Sequence, residues 1–180
     1  MRGRRLAALR GLNIRPTADK VREAIFDLVG QDMTEINTLD LFAGTGSVGV
    51  EAISRGASYA LFIDNSPRSI NLIKRNLMLC GCEALGSVIK RDLARPLNWK
   101  SLLRGKGFGL VFIDPPYGKN FVPPLLEALS QQHILASPST VVAESSKTDE
   151  LPVAAGNLNR IDKRTYGDTT ITLYRYEEDQ

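Results

Sequence analysis

Residues 114–117, Asp-Pro-Pro-Tyr, set a carboxylate, two rigid residues and an aromatic ring side by side at the end of an apolar run, "GLVFI". Proline fixes φ and carries no N–H, so the segment presents acceptors and a ring face and few donors. That combination suits an exocyclic amine of a nucleobase. The nitrogen of such an amine is a poor nucleophile because its lone pair is delocalised into the ring. Two acceptors on its protons draw it toward tetrahedral geometry and free the lone pair. Asp114 supplies one and the backbone carbonyl of Pro115 the other, with Pro116 holding that carbonyl in place. Tyr117 offers a face on which a flipped-out base stacks. Attack on an electrophilic methyl group then needs positioning and electrostatics, with no covalent intermediate. The plain structural alternative is a turn after a strand.

A second cluster lies upstream. Gly44, Gly46 and Gly49, with Thr45 between the first two, match G-x-G-x-x-G after a strand and before a helix. Asp64 follows 20 residues after Gly44, as a dinucleotide fingerprint expects. Charge argues against a dinucleotide. Asp40, next to the loop, would oppose a pyrophosphate resting on the helix N-terminus. S-adenosylmethionine has no phosphate and carries an ammonium and a sulfonium, which an acid favours. Asp64, followed by Asn65, suits the ribose hydroxyls, because two adjacent donors match one carboxylate. Asp92 is placed to accept from the adenine amino group, with Leu93 against the ring. Asp40, Asp64, Asp92 and Asp114 thus end successive strands. Strand-end acids can also simply cap the following helix; four in series beside a glycine loop favour the cofactor.

The elements that must position these residues read as alternating strands and helices. A helix opens at Pro16 and Thr17, with Thr17 as N-cap and Val21, Ala24, Ile25 and Leu28 on one face, and closes at Gly30. Strands are expected over 36–42, 59–64, 86–92, 109–114 and 140–146. Helices are expected from Ser47 to Gly56, from Ser66 (cap) through Pro67 to Gly81, over 97–105, and in "FVPPLLEALSQQ". The tail "RIDKRTYGDTTITLYRYEE" reads as a β-hairpin turning at Gly167-Asp168, with Thr170, Thr172, Tyr174 and Tyr176 on one face. The expected fold is α/β: a doubly wound, mostly parallel sheet finished by an antiparallel hairpin, in a single domain over residues 1–180.

At 43% hydrophobic and 24% charged residues, the composition is that of a soluble globular protein. No apolar run approaches the roughly 20 residues of a membrane span, and the basic start has no signal-peptide core, so a cytoplasmic location is expected. Cys80 and Cys82 read as reduced thiols, and His133 as an ordinary residue at a helix end. With one histidine and no ligand cluster, no metal is expected. Arg2, Arg4, Arg5, Arg10, Arg15, Lys20 and Arg22 face one acid, Asp19, in the first 22 residues, while the whole chain carries only +3. This basic arm is a candidate clamp on a phosphate backbone, or merely a solvated terminus.

The glycine loop followed by Asp-Pro-Pro-Tyr resembles the S-adenosylmethionine-dependent amino-methyltransferases, whose motif is D/N-P-P-Y/F. That resemblance implies a Rossmann-like class I fold with seven strands. "RPTADKVREAIFDLV", "LDLFAGTGSVGVEAISRGA", "FIDPPY" and "KRTYGDTTITLYR" are more specific. They resemble the RsmD family, which methylates guanine N2 in 16S ribosomal RNA, from about Arg2 to Glu177. The resemblance implies cofactor or catalytic roles for Gly44, Gly46, Asp64, Asp92 and Asp114. It puts Arg15 and Thr17 near the cofactor's methionine end or the RNA, and implies a partner that is 16S rRNA or the small ribosomal subunit, met by a monomer. Family members begin with an extra β-hairpin, and Met1 stands where their tryptophan would be, so a shortened front is expected. The competing readings are a DNA adenine-N6 methyltransferase, a non-catalytic S-adenosylmethionine- or RNA-binding module, and an NAD oxidoreductase.

Overall fold

The computed structural model describes residues 16–103 and 105–178. The chain divides into two compact units, Met1–Leu93 and Ala94–Gln180. In the first, helix α1 (Pro16–Val29) precedes β1 (Asn37–Leu41), α2 (Ser47–Ser54), β2 (Tyr59–Asp64), α3 (Pro67–Cys80) and β3 (Gly86–Lys90). The strands lie in the order β3-β2-β1 and pair in parallel, with Asp40 opposite Phe62 and Asp64 opposite Lys90. Parallel pairing brings the carboxyl ends of all three strands to one edge, where the acids are. Asp40 is the penultimate residue of β1, Asp64 ends β2, and Asp92 follows β3 by two residues.

The core of this unit is built by helical spacing meeting fully buried strands. Ile73 and Leu77 of α3, Val50 and Ile53 of α2, and Ala60 and Phe62 of β2 form one cluster with Cys80 and Cys82. The two cysteines are free thiols. Ser66 caps α3 by accepting from the Ser69 N–H, Pro67 occupies its first turn, and Gly81 stops it at φ 65°. Helix α1 begins with Pro16, so Thr17 lies inside the helix and is not its N-cap. Its buried face carries Val21, Ile25 and Phe26, while Ala24 and Leu28 are half-buried. Phe26 also receives the Arg55 guanidinium, 4.4 Å from the ring centroid.

The second unit holds a 3₁₀ turn at Trp99–Leu102, then β4 (Phe108–Ile113), α4 (Val122–Gln131), β5 (Leu135–Ser146), β6 (Ala154–Ala155), β7 (Leu158–Tyr166) and β8 (Thr169–Tyr176). Its strand order is β4-β5-β8-β7-β6. β4 and β5 are parallel; β8 runs antiparallel to both β5 and β7. The hairpin turns at Gly167-Asp168, where Gly167 takes φ 65° and Tyr166 pairs with Thr169. Eight strands stand among the described residues against seven expected: the two-residue β6, paired to β7, is too short to leave a pattern. β5 begins five residues earlier than its apolar run suggests. In β8, Thr170, Thr172, Tyr174 and Tyr176 are buried, but so are Ile171 and Leu173. A strand paired on both edges and buried on both faces loses its alternation.

Candidate active site

In the first unit the site is a loop tied down by its own acids. The Asp40 carboxylate, 4% exposed, accepts the Gly49 N–H at 3.1 Å. Gly49 is the third residue of α2, and Gly46, at the cap position, has no side chain to offer. A strand residue therefore does the work of an N-cap. The Asp64 carboxylate accepts the Gly44 N–H at 2.9 Å on one oxygen and the Ser66 N–H at 2.8 Å on the other. Two lone pairs remain for hydroxyl donors. Buried Asn76 of α3 donates to the Thr45 carbonyl at 2.9 Å, pinning the loop from beneath. A Cβ on Gly49 would lie 2.3 Å from the Phe62 ring, so only glycine lets the helix start this close to β2. Phe42 sits at φ 60° where β1 turns into the loop. A non-glycine residue there carries backbone strain of about 1–3 kcal/mol. Asn65 and Asp92 are exposed and Leu93 half-buried at the same edge.

These bonds bear on which cofactor fits. The loop N–H groups of Gly44 and Gly49, which a pyrophosphate would need, are already given to Asp64 and Asp40. An anion here would have to displace two carboxylates. A ligand with a cationic methionine end and a ribose diol meets no such conflict, so the residues present fit S-adenosylmethionine.

In the second unit, Asp114 is the first residue past β4. Ile113 pairs with Ala143 in parallel register, so Asp114 and Glu144 are the next residues on neighbouring strands, with backbones about 5 Å apart. Asp114 is solvent-accessible as a residue, though protein atoms crowd its carboxyl. Desolvation there, with the Glu144 charge as second cause, pushes its pKa up to about 7. Desolvation raises Glu144 as well, against the pull of the neighbouring Tyr117 and Thr169 hydroxyls. The Tyr117 hydroxyl donates to Glu144 Oε1 at 2.8 Å and lies 2.9 Å from Thr169 Oγ1. Its ring, 48% exposed, is held by its far end. Burial, the largest cause, pushes the Tyr117 phenol up to about 12, so it stays protonated. Pro115, Pro116, Tyr117, Lys119, Glu144 and Asp149 line part of a cavity of about 330 Å³; Asp114 stands outside its lining.

Of the four residues expected to do chemistry, Pro115, Pro116 and Tyr117 line this cavity and Asp114 does not; Glu144 and Thr169, which were not expected, hold the Tyr117 hydroxyl. Glu144 was legible only as a charge inside the apolar run "TVVAESS", and Thr169 as a residue beside a turn. Asn76 could have been suspected as a polar residue on the apolar face of α3. His133 lies exposed just past α4, at φ 52°. No group of three or more His, Cys, Asp or Glu among the described residues could hold a metal ion, and no helix among them is long and apolar enough to cross a membrane. Of the basic arm, Arg2, Arg4, Arg5, Arg10 and Arg15 lie outside the described residues. Thr17, Lys20 and half-buried Arg22 belong to α1.

A family model described as conserved hypothetical protein 95 matches residues 1–175. The chain belongs to this family, the RsmD methyltransferases. YlbH of Bacillus subtilis, provisionally named an rRNA methyltransferase, is 36% identical over 174 residues, 97% of this chain and 94% of that protein. Ribosomal RNA small subunit methyltransferase D of Haemophilus influenzae is 30% identical over 179 residues, 97% of this chain and 89% of its own. A conserved hypothetical protein of Streptococcus pyogenes superposes with a TM-score of 0.79 at 33% identity, over 87% of this chain and 95% of that one. The fold is the Rossmann-like class I methyltransferase fold with its C-terminal antiparallel hairpin. This RsmD-family chain is a methyltransferase dependent on S-adenosylmethionine.

Proposed function

We propose that the protein transfers the methyl group of S-adenosylmethionine to the exocyclic N2 amine of a guanine in 16S rRNA. What carries the reading is Asp114, just past β4, next to Glu144 inside β5, with the tethered Tyr117 ring hydrogen-bonded to Glu144. It is supported by the names of the relatives, which include small-subunit rRNA methyltransferases. The first unit holds the methyl donor and keeps its ribose on Asp64. In the second, Asp114 and the Pro115 carbonyl accept the two amine protons and concentrate the lone pair on nitrogen. Tyr117 stacks on the base. S-adenosylmethionine supplies a methyl carbon activated by the sulfonium; the carbon–sulfur bond breaks as the carbon–nitrogen bond forms. The ammonium product then gives up one proton, and Asp114, with its pKa near neutrality, is suited to receive it. The basic arm, Arg2 to Arg22, is assigned to the RNA backbone, and the protein acts in the cytoplasm as a monomer.

The test is labelled methyl transfer to small ribosomal subunits, to naked 16S rRNA and to duplex DNA, with the modified nucleoside identified by mass spectrometry. N2-methylguanosine in rRNA is expected. Label only in DNA, or only as N6-methyladenine, overturns the reading in favour of a DNA methyltransferase.

A further inference from the structure

We propose that Glu144 is the residue that selects guanine, by accepting the ring N1–H next to the amine being methylated. The inference rests on the guanine reading above and adds the group that enforces it. Three of the common bases carry an exocyclic amine. In adenine and cytosine the ring nitrogen beside the amine is an acceptor; in guanine alone it is an N–H donor. A carboxylate beside the amine's own acceptor therefore favours guanine and opposes the other two, because an ionised carboxylate only accepts.

The second unit provides that arrangement. Asp114 and Glu144 follow the paired residues Ile113 and Ala143, and the Glu144 charge acts on the Asp114 carboxyl, so the two acids are neighbours, Glu144 on the cavity lining and Asp114 just outside it. Glu144 lines the cavity that Pro115, Pro116 and Tyr117 also line, which is the space a stacked base would enter. Its carboxylate accepts the Tyr117 hydroxyl at 2.8 Å, and that hydroxyl in turn lies 2.9 Å from Thr169 Oγ1 of the hairpin. Three of its roughly four acceptor positions remain after that bond. Lys119, on the same lining, is a donor of the kind guanine O6 accepts. The other ionisable lining residues, Asp149 and Glu150, make the cavity unsuited to a phosphate and suited to a donor-rich base edge.

The test uses Glu144→Gln, which keeps the side chain's size and can still accept from Tyr117, but adds an amide donor. Substrates are small subunits reconstituted on 16S rRNA carrying either guanine or 2,6-diaminopurine at the mapped methylation position. Diaminopurine keeps the N2 amine and replaces the N1–H by an acceptor. The wild-type protein is expected to prefer guanine in kcat/KM by at least about tenfold, within the range one base-edge contact discriminates. In the variant that preference falls by at least about tenfold, with S-adenosylmethionine affinity unchanged. A smaller fall, or equal losses on both substrates, overturns the assignment. So does a wild-type protein that uses both substrates equally, a result that needs no folded variant. If wild-type product is N2-methylguanosine and the preference does not move, only the role of Glu144 fails; if the product is another nucleoside, the underlying reading fails first.

Discussion

The sharpest consequence of the site is a pH limb. Only the ionised Asp114 can accept an amine proton. At an ordinary carboxylate value of 3.8 it would be ionised throughout the neutral range, and the rate would be flat there. Desolvation and the neighbouring Glu144 lift it to about 7. The carboxylate is then roughly one-tenth ionised at pH 6 and nine-tenths at pH 8. Because kcat/KM reports free-enzyme ionisations, labelled methyl transfer at sub-saturating rRNA should rise about tenfold per pH unit below pH 7 and level off above about pH 8. Ionic strength must be held constant, since RNA affinity depends on it. Asp114→Asn should abolish the limb and lower the plateau by about 10² to 10³, the usual loss for one positioned transition-state group. Glu144→Gln should move the limb to lower pH without returning it to the ordinary range, because desolvation, the larger cause, persists. A flat wild-type profile, or an inflexion below about pH 5, would refute both the crowding of Asp114 and its role.

Four further outcomes are expected. Asp114 has a folded pKa above its unfolded one, so the native state holds the extra proton between about pH 4 and pH 7 and stability falls as pH rises through that window; the melting temperature of Asp114→Asn relative to wild type should climb over the same window, and a constant difference would contradict it. Gly49→Ala drives a Cβ into the Phe62 ring and should cost about 1–3 kcal/mol, read as a melting temperature lower by about 2–4 °C per kcal/mol; an unshifted melt would mean the ring yields freely. Tyr117→Ala should weaken rRNA engagement by roughly 1–3 kcal/mol of lost stacking with S-adenosylmethionine affinity retained, and unaltered RNA affinity and rate would remove the ring from the base site. Binding to rRNA should weaken steeply with salt if Arg2 to Arg22 contact phosphates; a shallow dependence measured by filter binding would dismiss the basic arm.

The places of the strand-end acids were more legible in the sequence than the bonds that surround them. Asp40, Asp64 and Asp114 could be placed because a buried strand ending in an acid is rare and shows without any long-range information. Gly46 and Gly81 announced turns through the same local constraint. Glu144 and Thr169 could not be assigned, since each owes its role to a partner 27 or 52 residues away in sequence, Tyr117. Thr17 was misjudged because proline at a first helical position and threonine at a cap leave similar marks. Strand β6 was missed because two residues have no periodicity. The alternation read along β8 was real for Tyr174 and Tyr176 but concealed that Ile171 and Leu173 are buried on the other face.

The amides of Gly44 and Gly49 are spoken for before any ligand arrives. The loop's shape is thus set by the chain's own acids, which lowers the ordering entropy that capture of a donor would cost. Neither S-adenosylmethionine nor S-adenosylhomocysteine carries a phosphate to compete for those two amides, so spent and fresh donor would meet the same acid-tied loop.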